Sequence, residues 1–179
     1  MKKILFLLLF VPILCVAQED EFTPAIVPVE DGKVVFSTSY DPSLTKQEIH
    51  DQLVDLANSV FANKGVLALD DYEQGIVAYR MKDYLSVEEK ILMTFAMDIR
   101  YTLIFEYSDN MCSVKIRNIS YIEPEDETNQ VFSAELIMID KKYKVLTIKE
   151  ASQKITDRTI EYMEGMFNQI GKKLRTKSS

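Results

Sequence analysis

The sequence predicts an α+β domain, a single antiparallel sheet with helices packed on one of its faces. Three observations carry that reading. From Ile91 to Tyr107 every second residue is apolar without interruption, with Asp98, Arg100, Thr102 and Glu106 among those between, as in a strand buried on one face. Segments near 46–63 and 157–175 instead repeat their apolar residues at helical spacing. The resulting order is strand, helix, four strands, helix, with an additional segment before the last helix, and each element has one apolar side to bury.

The chain opens on a segment that belongs to no domain. Lys2 and Lys3 supply a positive start, and Ile4 to Leu14 an apolar run too short to cross a bilayer. Cys15 and Ala17 then place small side chains where a signal peptidase reads them, so residues 1–17 are expected to be a cleavable signal peptide. The mature chain would start at Gln18 and work in the periplasm or outside the cell. The alternative takes Cys15 as a lipidated first residue, which calls for a small residue before it, where Leu14 stands. No later apolar run approaches the roughly 20 residues of a membrane helix, so no transmembrane segment is expected in the mature chain. Removing residues 1–17 takes away Lys2 and Lys3 and no acid, so the net charge moves from −7 to −9. That balance argues against nucleic acid and anionic membrane as partners. Cys112 is the sole cysteine of the mature chain, which excludes an internal disulfide and suits a small apolar strand residue.

Residues 18–31 hold Pro24, Pro28 and several acids and read as a loosely tied leader. The domain is expected over 32–175, with 176–179 as a tail. From Lys33 to Tyr40, Val34, Phe36, Thr38 and Tyr40 share one face of a first strand. Asp41, Pro42 and Ser43 break it. Thr45 and Glu48 then form a capping box flanked by the staple pair Leu44 and Ile49, which starts a helix over about 46–63. Gly65 is expected to stop that helix in a left-handed conformation.

Short strands at 66–70 and 76–82 form a hairpin closed near Gly75. The long alternating strand follows, with a bend or bulge expected near Ala96 to Asp98, since straight strands seldom run so far. In its first half, Ser86 and Glu89 could instead cap a short helix. Met111 to Tyr121 is the next strand. A two-residue turn at Asp109 and Asn110 pairs Tyr107 with Cys112, Phe105 with Val114 and Leu103 with Ile116, apolar against apolar, whereas a three-residue loop would mix the faces.

Residues 123–130 read as a solvated acidic loop. Residues 131–139 fit helix or strand by period, and Ala134, Glu135, Leu136 and Met138 favour a short helix. Residues 141–148 suggest another short extended piece. Ile155, Thr159, Met163, Phe167, Ile170 and Leu174 predict an amphipathic helix over about 157–175, with Lys172, Lys173 and Arg175 complementing its negative end.

Gly32-Lys33-Val34-Val35-Phe36-Ser37, Gly75-Ile76-Val77-Ala78, and the strand pair Tyr101-Thr102-Leu103-Ile104 with Val114-Lys115-Ile116-Arg117-Asn118-Ile119 resemble exported Bacteroidetes proteins carrying domain of unknown function 4468. The resemblance covers roughly residues 32–122 and implies a TATA-binding-protein-like (TBP-like) fold. It implies no catalytic residue, and the DNA binding of the fold's namesake is an analogy of shape alone.

The inventory for catalysis is thin. His50 lies beside Ile49 on the first helix and reads as a solvated histidine rather than a general base. No ligand spacing for zinc appears, nor a phosphate loop, nucleophile elbow or Cys/His pairing, and Glu125, Asp126 and Glu127 lack the ordered oxygen spacing of a calcium site. No metal and no cofactor is expected. The reading is a non-catalytic exported binding or interaction module of the cell envelope, its partner an envelope protein or a glycan or peptide ligand. A structural or assembly accessory of an envelope complex is the alternative, and a small periplasmic enzyme a more distant one.

The inferred register sets Arg100, Thr102, Ile104 and Glu106 beside Ile119, Arg117, Lys115 and Ser113 on the face turned away from the helices. Arg100, Thr102, Ile104, Lys115, Arg117 and Ile119 are therefore the candidate partner-binding residues, through charge-assisted hydrogen bonds and modest burial. The competing reading is that such residues only keep a half-exposed sheet wetted.

Overall fold

The computed structural model describes residues 26–90, 93–123, 130–145, 148 and 150–175. The expected signal peptide with Cys15, most of the leader, Ile91 at the start of the long strand, the acidic residues 124–129 and the tail 176–179 lie outside the described residues.

A small hairpin opens the fold, β1 (Val29–Glu30) against β2 (Lys33–Val34). Its turn, Asp31-Gly32, has φ of 49° and 75°, the left-handed geometry that a tight two-residue hairpin turn demands. The folded unit thus takes in the last residues of the expected leader. The first strand is split, because β2 pairs with β1 while β3 (Phe36–Tyr40) pairs with residues 112–116 of the main sheet. Helix α1 (Lys46–Ser59) begins as its sequence requires. Thr45 accepts from the Glu48 N–H, Glu48 accepts from the Thr45 N–H at 2.7 Å, and the staple residues Leu44 and Ile49 are both buried. The stop differs from expectation. Asn63, at φ 65°, takes the left-handed position, and Gly65 already opens the next strand, paired with Met81. Asparagine tolerates that conformation better than most residues.

Strands β4 (Gly65–Asp71), β5 (Ile76–Lys90), β6 (Met93–Ser108) and β7 (Met111–Ile122) follow as an antiparallel meander. The sheet runs β3-β7-β6-β5-β4, and β8 (Val131–Ser133) pairs with the last residues of β7 beyond β3. β5 continues well past Lys82, so Ser86 is a strand residue rather than a helix cap. The irregularity expected in β6 lies on its partner. A bulge between Ser86 and Glu88 sits opposite Ala96 and Phe95 and turns Glu88 toward the helices, where Lys154 meets it at 2.6 Å. The β6–β7 hairpin has the inferred register, with Tyr107 opposite Cys112, Phe105 opposite Val114 and Leu103 opposite Ile116.

Residues 131–139 use both conformations that their pattern permits: β8 first, then a π-helical turn (Glu135–Ile139). Glu135 accepts from the Val34 N–H, and Ile137 and Met138 are buried. Val145 and Ile148 form a single bridge within the expected extended piece. Helix α2 (Ala151–Arg175) starts a turn and a half before the expected residue 157 because Ala151, Ser152, Ile155 and Thr156 are also buried, and it ends where the basic cluster predicts.

Both helices lie on one face of the sheet. Leu53 and Leu56 of α1 and Ile155, Met163 and Ile170 of α2 share one apolar cluster with Val77, Leu103, Phe105, Val114 and Ile116. Tyr121, buried in its centre, bonds Thr159 of α2 at 2.8 Å, so the core's polar groups also tie helix to sheet.

Candidate binding face

The strands alternate, so seating Val77, Tyr79 and Met81 of β5 and Tyr101, Leu103 and Phe105 of β6 under the helices sends their neighbours to the other side. Register then fixes rows across that open face. Arg80, Thr102 and Arg117 form one row; Ala78, Ile104, Lys115 and Ser37 form the next; Lys82, Arg100 and Ser120 lie on the other side of the first. Arg80, Lys82, Arg100 and Arg117 are exposed, while Thr102, Ile104 and Lys115 are half-buried. The described residues of segment 131–148, namely 131–145 and 148, leave these side chains exposed or half-buried. β8 extends the edge and the π-helical turn packs into the core.

Of the residues expected here, Arg100, Thr102, Ile104, Lys115 and Arg117 share the face, and Ile119 does not. Asn118 adopts φ 56° and the register slips, so that Arg100 opposes Ser120 while Thr102 opposes Arg117. Two residues of β7 stand against Tyr101, the alternation resets, and Ile119 turns into the apolar cluster, 4% exposed. Sequence reasoning missed Arg80 and Lys82. The alternation Ile76, Ala78, Arg80, Lys82 against Val77, Tyr79, Met81 would have found them, had β5 been carried across the sheet beside β6.

Lys82 pairs with Asp98 at 2.7 Å. Among the described residues Arg80, Arg100, Lys115 and Arg117 form no ion pair. A chain with 28 acidic side chains therefore gathers three guanidinium groups that lack an ion pair among the described residues, those of Arg80, Arg100 and Arg117, around Thr102. Guanidinium presents a rigid fork of donors matched to carboxylate, phosphate or sulfate, and neighbouring like charges gain most when an anion bridges them.

A second polar cluster is satisfied internally. On the helix side, a cleft of about 250 Å³ is lined by Phe61, Met81, Met166 and the chain Lys64, Asp83, Tyr162, Tyr101. Tyr162 donates to Asp83 at 2.6 Å and accepts from Tyr101 at 3.0 Å, and Lys64 donates to Asp83 at 2.9 Å. Burial alone would raise the Asp83 carboxyl, but the bonds from Tyr162, Lys64 and the Tyr84 N–H hold it below its ordinary range. Burial keeps Tyr101 and Tyr162 well above the usual phenol range, hence protonated.

His50 is less solvated than expected. Its ring is 17% exposed, Nε2 lies 3.1 Å from Asp70, and Tyr72 meets it edge-on at 5.3 Å, so it clasps α1 to the β4–β5 hairpin. The neighbouring Tyr107 hydroxyl is buried with no hydrogen-bond partner among the described residues, and burial pushes it up to about 12. Cys112 is buried, its thiol also pushed up to about 12, which suits a packing role. Among the described residues no His, Cys, Asp or Glu group gathers as a metal site, and no helix is long and apolar enough to cross a membrane.

Comparison with known proteins follows this geometry. Residues 40–122 match the family profile described as "Domain of unknown function (DUF4468) with TBP-like fold". A crystal structure of a DUF4468 family protein from Bacteroides ovatus superposes over 86% of this chain and 93% of its own, with TM-score 0.69 at 18% identity. That of a TBP-like protein from Parabacteroides distasonis covers 85% and 99%, with TM-score 0.70 at 17% identity. No curated protein matches the chain. The fold is TBP-like, α+β on an antiparallel sheet, and the family resemblance read from the sequence holds.

Proposed function

We propose that this chain, a TBP-like domain of the DUF4468 type, is a non-catalytic exported binding module of the cell envelope whose open sheet face takes a carboxylate-bearing partner. The observation that carries the reading is the cluster of unpaired Arg80, Arg100, Lys115 and Arg117 around Thr102 on an uncovered face of an acidic protein. The helices lie on the other side and carry six acidic and six basic side chains, a balance that the basic rows of the open face do not share. An acidic peptide or uronate-bearing glycan laid across the rows would meet guanidinium forks, the Thr102 hydroxyl and the Ile104 side chain together. Export follows from the basic and apolar N-terminal segment. The buried phenols and thiol, held protonated, suit a binder better than a catalyst.

The test replaces Arg100, Lys115 and Arg117 together with Ser. Arg100 and Arg117 are exposed and Lys115 is half-buried, all outside the apolar cluster, so the denaturant midpoint should stay close to wild type. Retention on immobilised polyglutamate and polygalacturonate should fall at least tenfold, and wild-type retention should weaken as salt is raised, as for exposed charge pairs. Equal retention by a folded triple variant, or equal retention of wild type on neutral dextran, would rule the face out.

A further inference from the structure

The edge strand β4 ends the sheet with no strand beyond it among the described residues. Its side chains are exposed on both faces, Val66 at 72%, Leu67 at 53% and Leu69 at 47%. The opposite edge is different in kind: β3 reads Phe-Ser-Thr-Ser-Tyr, and its Tyr40 hydroxyl is bonded to the Phe167 carbonyl of α2 at 2.6 Å. An edge with free backbone groups and apolar flanks is a template for another strand.

The charges along β4 select the occupant. Lys64 precedes the strand, and Asp70 and Asp71 close it, with Leu67 midway. The Lys64 carbonyl accepts from the Lys82 N–H at 2.7 Å, toward β5, so strand alternation turns the backbone groups of Leu67 and the Gly65 carbonyl outward, while the Gly65 N–H is held by the Phe61 carbonyl at 3.1 Å. β4 carries a bulge between Leu67 and Leu69, so antiparallel self-pairing about a twofold at Leu67 would set Leu67 against its own copy and Val66 against both Ala68 and Leu69. Lys64 of each chain would then lie beside Asp70 and Asp71 of the other. Parallel pairing would oppose like charges. Lys64 already meets Asp83 at 2.9 Å and Asp70 meets His50 at 3.1 Å, but ammonium and carboxylate both keep unused hydrogen-bonding capacity.

We propose that β4 is a self-pairing edge through which a second copy of this chain joins antiparallel, with the twofold axis at Leu67. That axis runs normal to the sheet, so both open faces lie on one side and their arginine clusters form a single larger surface. Dimerisation stands independently of what that surface binds.

The experiment uses the full mature chain in sedimentation equilibrium, with oxidative crosslinking beside it. Wild type should pass from monomer to dimer across the micromolar to millimolar range, Leu67→Lys should remain at half the dimer mass with an unchanged circular dichroism spectrum, and Lys64→Glu should weaken association. Directly opposed residues lie about 5.5 Å apart at Cα, within the disulfide range, so Leu67→Cys should oxidise to a covalent dimer and Leu69→Cys should not. A wild type that stays monomeric throughout would overturn the proposal and leave the edge for a strand of another protein. A dimer indifferent to Leu67→Lys, or equal crosslinking through position 69, would overturn it as well.

Discussion

Leu103→Ala tests the assignment of the two sheet faces most directly. Leu103 is fully buried on the central strand β6, between Tyr79 of β5 and Ile116 of β7, beneath the helices. The substitution removes about three carbon groups, at about 0.8 kcal/mol each, or about 2.4 kcal/mol of lost burial. Strands on both sides limit collapse, so a void of roughly 60 Å³ at about 24 cal/mol per Å³ adds about 1.4 kcal/mol. The expected loss is therefore about 4 kcal/mol. Ile104→Ala, one residue along and on the half-exposed open face, should cost well under half of that. Urea unfolding followed by circular dichroism reads both. With a slope of about 2 kcal/mol per molar, Leu103→Ala should lower the midpoint by about 2 M. Equal losses at 103 and 104, or a midpoint for Leu103→Ala within about 0.5 M of wild type at unchanged slope, would refute the face assignment.

Gly75 has φ 67°, and a Cβ there would meet the Tyr107 carbonyl oxygen at 2.1 Å, whereas Gly32, at φ 75°, has open space around it. Gly32→Ala should cost only the left-handed penalty of about 1–2 kcal/mol, and Gly75→Ala clearly more in the same urea assay, because backbone must also move; equal costs would count against the close packing of the β4–β5 turn on β6. Asp83 is held below the ordinary carboxylate range in the fold, so its contribution is present above the unfolded-state pKa and is lost as pH falls through the folded one. Asp83→Asn should therefore be markedly less stable than wild type at neutral pH and approach it in acid, and a gap independent of pH would contradict the bonds from Tyr162 and Lys64.

How much of this protein is legible in the sequence depends on whether a signal is local. The capping box at Thr45 and Glu48, the β6–β7 register about Asp109-Asn110 and the basic end of α2 rest on neighbours a few residues apart, and the sequence alone determined them. So did the α+β class, because strict alternation and helical spacing each leave one apolar side that must be buried. The place of Ile119 could be decided only in three dimensions. Its residue type fits either face, and the slip at Asn118 that sends it inward arises from matching β7 to β6 and to the core above. The same holds for the length of β5, whose polar second half is a strand because β6 lies beside it, and for the division of 131–139 into strand and π-helical turn. It holds too for Arg80 and Lys82, which join Arg100, Lys115 and Arg117 across strands brought together by antiparallel pairing. A row across a sheet comes into being only when distant segments align, and no periodicity within one strand contains it.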